Sequence, residues 1–232
     1  MSKLLSPVCI VPLGPGAPSD LTLGSLERLR EADYIFCPAT VAGDSKARRI
    51  MLAVGIHPEQ IQTYTLPMSK EREPALQAYD MVAEKASILY QAGKRIAITA
   101  EGDAGIYSSS GYILGRLNDL GVETVRTAGI PAFVAAAALA KVILTEGEES
   151  LLILPSVTSA KHLLSQIESG TTVVLMKCSQ STDVIKEAIH QGPHLSWHYF
   201  ESIGYSEEFH TTDQQEILSR PFPYFSLIIV RR

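Results

Sequence analysis

"ITAEGDAGIYSSSGYILGRL" occupies residues 98–117. A short apolar run leads into Glu101 and Gly102-Asp103. A second glycine follows at 105, then three serines, and Ile113 and Leu117 open a helical spacing. A strand, a glycine loop and a helix in that order form a crossover unit of an α/β sheet. The loop also poses a chemical question. Gly102 and Gly105 let backbone atoms approach a ligand closely, but Asp103 would repel a phosphate. Its carboxylate is suited instead to ribose hydroxyls or to a ligand amine, which favours a nucleoside ligand without phosphates. Asp103 as the cap of the following helix is the competing structural reading.

Working outward, the same alternation recurs along the chain. Strands are expected at Val8–Leu13, Tyr34–Cys37, Ile61–Leu66, Arg95–Ala100 and Val122–Thr127. Leu76, Tyr79, Ala83, Ala86 and Tyr90 place one apolar face on a helix over 74–90. Ile113, Leu117 and Leu120 do so over 111–120, with Gly121 as a stop. Strands separated by helices imply right-handed crossovers and a mainly parallel sheet. The rhythm changes at Gly129, where "IPAFVAAAALAK" reads as a small-residue helix with Pro131 in its first turn. Later strands at Leu151–Leu154, Thr172–Lys177, Trp197–Glu201 and Phe225–Val230 make a second sheet, with helices at Ser159–Glu168 and Thr182–Gln191. The expectation is two α/β domains, 1–129 and 130–232, the first mainly parallel and the second mixed, with a cleft between them.

Composition narrows the function classes. With 232 residues, 46% of them hydrophobic, there is chain enough for a substantial core. A net charge of −5 gives no electrostatic case for a nucleic-acid partner. No apolar run reaches the ~20 residues a membrane span needs, and "MSKLLSPVCIVPLG" lacks a signal-peptide cleavage pattern. Cys9, Cys37 and Cys178 are far apart and odd in number, so they read as reduced core residues of a cytoplasmic protein. His194 and His198 are four apart but flank Pro193 and a strand-like "WHYFE", so no metal site is expected. No GxSxG elbow occurs.

Other motifs flank the opening stretch. "VPLGPGAPSD" (11–20) ends a strand in Gly14-Pro15-Gly16, a tight turn that also permits close approach. "TAGIPAF" (127–133) enters a helix whose first N–H groups are free donors. Met176 in "VVLMKCS" could lie over a ring or a sulfur-bearing ligand, and Gly204 follows a strand in "ESIGY". Each of these is also accounted for by packing alone. Lys46, Arg48 and Arg49 in "DSKARR", with Lys70 and Arg72, read either as a solvated charged face or as partners for an acidic substrate.

Taken in order, GPG, EGDAGIYS, AGIPAF, VVLMK, ESIGY and FSLIIV resemble the tetrapyrrole methylase family over nearly the whole chain. The resemblance implies a homodimeric enzyme of two α/β domains, with S-adenosylmethionine bound in the cleft and a small-molecule tetrapyrrole as substrate. "READYIFCPAT", "SKARRI", "LPMSKERE" and "AGIPAFVAAAALAKVILTEGEESLLILPS" resemble the branch that methylates C20 of precorrin-2 or cobalt-factor II in cobalamin biosynthesis. The rival branch methylates C17 and shares a GDAGIYG-like loop, but it carries Asn-Pro-Arg-Ser where this chain has Met176-Lys177-Cys178-Ser179. The chain departs from the family's usual Gly-Asp-Pro at Ala104 and from its Pro-Gly-Ile at Ala128. Both changes remove backbone stiffening and no functional group.

The resemblance implies cofactor contacts from Pro15, Gly102, Asp103, Ile106, Tyr107, Ser108, Pro131, Ala132, Met176, Gly204 and Ser226. Lys46, Arg48, Arg49, Lys70 and Arg72 are the candidates for holding the substrate's carboxylates. No residue declares itself as the base that removes the proton from the methylated carbon, although Glu101 and Tyr107 lie near the loop. A methyltransferase of the same fold acting on ribosomal RNA or a modified histidine, and a non-catalytic cofactor-binding or scaffold protein, are the readings from other classes.

Overall fold

A computed structural model of the chain describes residues 5–66 and 72–232. It divides into two compact units, one running to Pro131 and the other beginning at Ala132.

The first unit is built on β1 (Val8–Pro12), β2 (Tyr34–Ala39), β3 (Ile61–Thr65), β4 (Ile96–Ala100) and β5 (Thr124–Arg126). They form one parallel sheet in the order β3-β2-β4-β1-β5. Every residue of β1 and β4 is buried, as expected of strands covered on both faces. Helices α1 (Leu23–Glu31) and α2 (Lys46–Ala53) cover one face, packing Leu29, Ala47, Ile50 and Met51 against Val11 and Ile35. Helices α3 (Glu73–Gln91) and α4 (Ser110–Asp119) cover the other, with Ala83, Ala86, Ile113 and Leu117 against Ile10 and Ile98. Local chemistry fixes the helix starts. The Thr22 hydroxyl accepts from Ser25 N–H and the Ser45 hydroxyl from Arg48 N–H, each satisfying an orphan amide. Ser45 also donates to the Pro38 carbonyl at 2.6 Å, tying the start of α2 to the end of β2.

The second unit contains α5 (Ala132–Ala140), β6 (Ser150–Leu154), α6 (Ala160–Glu168), β7 (Thr171–Met176), α7 (Thr182–Gln191), β8 (Ser196–Glu201), β9 (Phe209–Thr211), α8 (Gln214–Ser219) and β10 (Ser226–Arg231). Its sheet runs β6-β7-β10-β8-β9. Only β6 and β7 pair in parallel; the other pairs are antiparallel, so the sheet is mixed. One face is closed by α6 and α7, which bury Leu163, Ile167, Ile185 and Ile189 with Trp197, Tyr199 and Ile228. The Trp197 indole donates to the Gly192 carbonyl at 3.0 Å, so its polar atom is satisfied inside that core.

The α/β class and the parallel-then-mixed pair of sheets agree with the sequence reading, and two details differ. β9 and α8 have no counterpart there, because a three-residue edge strand and a six-residue helix carry too little periodicity to read. The strand expected from Val122 begins only at Thr124, because Val122 N–H still bonds to the Leu117 carbonyl and closes the helix turn.

Candidate active site

In the first unit the flagged motifs meet at the carboxyl edge of the parallel sheet. This is where open α/β sheets bind ligands, because successive connections leave to opposite faces. The chain leaving β1 turns into α1 on one face, and the chain leaving β4 turns into α4 on the other. Between them Gly14 and Gly102 form an isolated antiparallel bridge, with Gly102 N–H donating to the Gly14 carbonyl at 2.8 Å. Both have positive φ, 74° and 67°, a conformation that favours glycine. Pro15 lies beside the bridge and is buried.

Asp103 binds together its own loop and a remote one. One carboxylate oxygen accepts from Gly105 N–H and the other from Gly129 N–H, each at 2.7 Å. It does not cap α4, which starts at Ser110 with Ser109 as its N-cap residue. Gly129 can reach Asp103 because it has no side chain: a Cβ there would stand 2.3 Å from Pro12 Cβ and 2.7 Å from the Gly102 carbonyl oxygen. The 127–129 segment is also held from α1. Thr22 Oγ1 donates to the Ala128 carbonyl at 3.2 Å, and the Ser25 and Thr127 hydroxyls lie 3.1 Å apart. Three stretches far apart in sequence are thus laced into one rim. Sequence reasoning missed the Asp103–Gly129 contact and the Thr22–Ala128 tie. The one local signal was the pair of small residues Ala128-Gly129, where only a close backbone approach needs them.

The rest of the loop is tightly wound. Tyr107 has φ 49° and is exposed. Ser108 and Ser110 share a 2.8 Å contact between hydroxyls, and Ser110 is buried. Ile106 N–H bonds to the Asp103 carbonyl at 3.3 Å. Just before the loop, burial raises the Glu101 carboxyl above the usual range, with the Lys46 ammonium working against that shift. Lys46 is half-buried at the first position of α2, while Arg48 and Arg49 are exposed. Arg49 pairs with Asp44 at 3.7 Å. Arg72 lies at the start of α3, and Lys70 lies outside the described residues.

In the second unit, Met176 closes β7 opposite Leu227, and Ser226 opens β10 opposite Glu201. The Ser226 hydroxyl donates to the Pro223 carbonyl at 2.6 Å. Burial pushes the Cys178 thiol up to about 12 against a hydrogen bond with Ser226, so Cys178 is a packed core thiol. Lys177, after Met176, has φ 54°, and Ser202, two residues before Gly204, has φ 49°. Gly204 itself is at φ 79°, and its N–H donates to a Glu208 carboxylate oxygen at 2.7 Å. With Tyr107, these are three of the four non-glycine residues at positive φ among the described residues; the fourth, Lys141, ends the quoted "IPAFVAAAALAK". Such strain is held in place mainly where a site requires it. α5 begins at Ala132, so Pro131, expected in its first turn, lies just before the helix. Among the described residues no group of three His, Cys, Asp or Glu side chains is placed to hold a metal ion, and no helix is long and apolar enough to cross a membrane.

The chain matches the family of Tetrapyrrole (Corrin/Porphyrin) Methylases over residues 7–217. It is 32% identical over 177 residues to the probable cobalt-precorrin-2 C(20)-methyltransferase of Methanocaldococcus jannaschii, covering 76% of this chain and 74% of that one. It is 25% identical to the precorrin-2 C(20)-methyltransferase of Sinorhizobium sp, covering 94% of this chain and 91% of that one. Its fold superposes on the uroporphyrin-III C-methyl transferase of Thermus thermophilus complexed with S-adenyl homocysteine, with a TM-score of 0.65, 17% identity and 98% of each chain covered. The chain belongs to the tetrapyrrole methylases. It is a methyltransferase dependent on S-adenosylmethionine.

The donor set of the first unit suits that cofactor. The loop offers backbone groups, serine hydroxyls and a carboxylate, and no lysine or arginine lies within 101–110. Such a set suits a cationic nucleoside without phosphates. Gly105 is exposed, and the Asp103 carboxylate and the Arg126 guanidinium close in around its Cα. A methyl there would come within 3.0 Å of Asp103 Oδ1 and 3.1 Å of Arg126 Nη1.

Proposed function

We propose that the chain methylates C20 of precorrin-2 or cobalt-factor II in cobalamin biosynthesis. The observation that carries this reading is the 32% identity to an archaeal enzyme named for that position. It is joined by Met176-Lys177-Cys178-Ser179, where the C17 branch carries Asn-Pro-Arg-Ser.

S-adenosylmethionine supplies a methyl made electrophilic by its sulfonium. The chain's own residues do the rest. On the first unit, Pro15, Gly102, Asp103, Ile106, Tyr107 and Ser108 would hold the nucleoside. Ala132, Met176, Gly204 and Ser226 of the second unit, with Pro131 just before it, are proposed to complete the contacts. The Ser226 hydroxyl is already committed to Pro223, so its contribution is its backbone and position. Lys46, Arg48, Arg49, Lys70 and Arg72 are proposed to meet the carboxylates of the substrate. Rigid placement of the two reacting centres in a water-poor site supplies much of the rate of such a transfer. The doubly held Asp103 loop is built for that. On the family resemblance we also assign a homodimeric state, a cytoplasmic location that the three buried free cysteines suit, and a division of labour between domains 1–129 and 130–232.

The acceptor class is tested by competition. Purified chain is offered precorrin-2, cobalt-factor II and ribosomal RNA together with methyl-labelled S-adenosylmethionine. Label is expected in a tetrapyrrole. Label confined to RNA, or S-adenosylhomocysteine failing to bind in calorimetry, would move the chain to one of the other classes.

A further inference from the structure

We propose that Glu101 accepts the proton that leaves the ring carbon once it has been methylated. The inference rests on the C20 reading.

The placement comes from the alternation of β4. Ile96, Ile98 and Ala100 pack on the α3–α4 side of the sheet, and Ala97 packs on the α1–α2 side. Glu101 follows β4 directly, next after Ala97 and Thr99 in that alternation, and it is the first charged residue past the buried strand. It stands where the strand emerges from the core, at the edge where such sheets bind ligands. Its backbone is held from both sides, because Leu13 N–H bonds to the Ala100 carbonyl and Gly102 N–H to the Gly14 carbonyl, both at 2.8 Å. Asp103, two residues on, anchors the nucleoside loop. Among the described residues the Lys46 ammonium of α2 and the Tyr64 phenol of β3, which packs on the α3–α4 side, interact electrostatically with the Glu101 carboxyl. A carboxyl in this position sits one residue from the loop that holds the methyl donor. It also neighbours a cation proposed to meet the substrate. Burial raises its proton affinity and Lys46 restrains the rise, which moves a carboxylate toward the range a general base needs.

The step balances without a further reactant. An electron pair of the reduced macrocycle forms the new carbon–carbon bond as the methyl–sulfur bond breaks, and that bond's pair stays on sulfur as a neutral thioether. The methylated carbon then carries both hydrogen and methyl. Its C–H pair returns to the ring, and the proton passes to Glu101 and on to solvent.

The test compares wild type, Glu101→Gln and Glu101→Asp. Glu101→Gln is expected to bind S-adenosylhomocysteine within about threefold of wild type while kcat falls by about 10²–10⁴. The acidic limb of the wild-type kcat/KM profile should vanish in Glu101→Gln, and Glu101→Asp should recover part of the rate. Carbon-13 NMR of glutamate labelled at the side-chain carboxyl should show one resonance titrating above the ordinary glutamate range and missing from Glu101→Gln. A folded Glu101→Gln enzyme with wild-type kcat and pH profile overturns the proposal, as does a Glu101 resonance that titrates normally. If Glu101→Gln does not fold, Glu101→Asp and the wild-type titration decide. Wild type that binds S-adenosylhomocysteine yet methylates neither tetrapyrrole overturns the C20 reading, and this role with it.

Discussion

Asp103 commits both carboxylate oxygens to glycine amides, one in its own loop and one 26 residues on. Hydrogen bonds to a charged group contribute about 1.5–3 kcal/mol each, and Asp103 is only half-buried, so the pair is expected to stabilise the rim by ~2 kcal/mol. Asp103→Ala should therefore lower denaturant stability by about 2 kcal/mol and weaken S-adenosylhomocysteine binding by about tenfold or more. Asp103→Asn, which keeps one acceptor oxygen, should fall between. An Asp103→Ala protein with normal affinity in calorimetry would remove the carboxylate from the site. Gly129→Ala tests the partner. Its new methyl meets Pro12 Cβ at 2.3 Å and a backbone oxygen at 2.7 Å, and overpacking of this kind costs about 1–3 kcal/mol, here at the upper end because neither neighbour is a flexible side-chain end. A Gly129→Ala chain as stable as wild type in urea would contradict the packing described. The sequence made Asp103 conspicuous because a carboxylate is out of place in a phosphate loop. It could not show where the carboxylate bonds, since Gly129 is remote in sequence and nothing local encodes the meeting.

At the scale of elements, α2 and the end of β8 carry separate tests. Arg48 and Arg49 stand exposed on α2, and exposed ion pairs are each worth less than about 1 kcal/mol. Replacing both by Ala should weaken tetrapyrrole binding by about fivefold or more and leave S-adenosylhomocysteine binding unchanged. Equal tetrapyrrole affinity in a fluorescence titration would take them out of the site. At the end of β8, Glu201 accepts from Arg220 at 2.8 and 3.2 Å and from the Tyr199 hydroxyl at 2.7 Å. Burial works to raise its carboxyl, but those hydrogen bonds prevail and the net shift is downward. A lowered folded-state value means stability that is present above the unfolded glutamate value of about 4.3 and is lost as pH falls through the folded one. Glu201→Gln should flatten the acid limb of the stability curve, and a mutant with the wild-type limb would contradict the assignment. The buried strands and amphipathic helices were legible because burial imposes their periods, as in Ala83, Ala86 and Tyr90 of α3. β9 was not: its three residues are defined by pairing with β8 and not by a pattern of their own.

At the scale of the whole molecule, what carried the family was the order of motifs. Each motif alone has a packing explanation, and six in sequence along one chain, four of them with a glycine, leave far fewer folds that need them all. The two sheets follow from the same reading, the first because its strands alternate with helices, the second because its later strands crowd together. The position methylated is a finer matter. It depends on how a polycarboxylate macrocycle is turned in the site, which no motif spells out, and here it rests on similarity to enzymes named for C20. The most direct measurement is the NMR spectrum of the product formed from precorrin-2 and from cobalt-factor II with S-adenosylmethionine carrying a carbon-13 methyl. The account predicts a single labelled methyl on C20 of at least one of the two acceptors. A labelled methyl on C17 or any other carbon, or unmodified tetrapyrrole recovered from enzyme that binds S-adenosylhomocysteine, would contradict it.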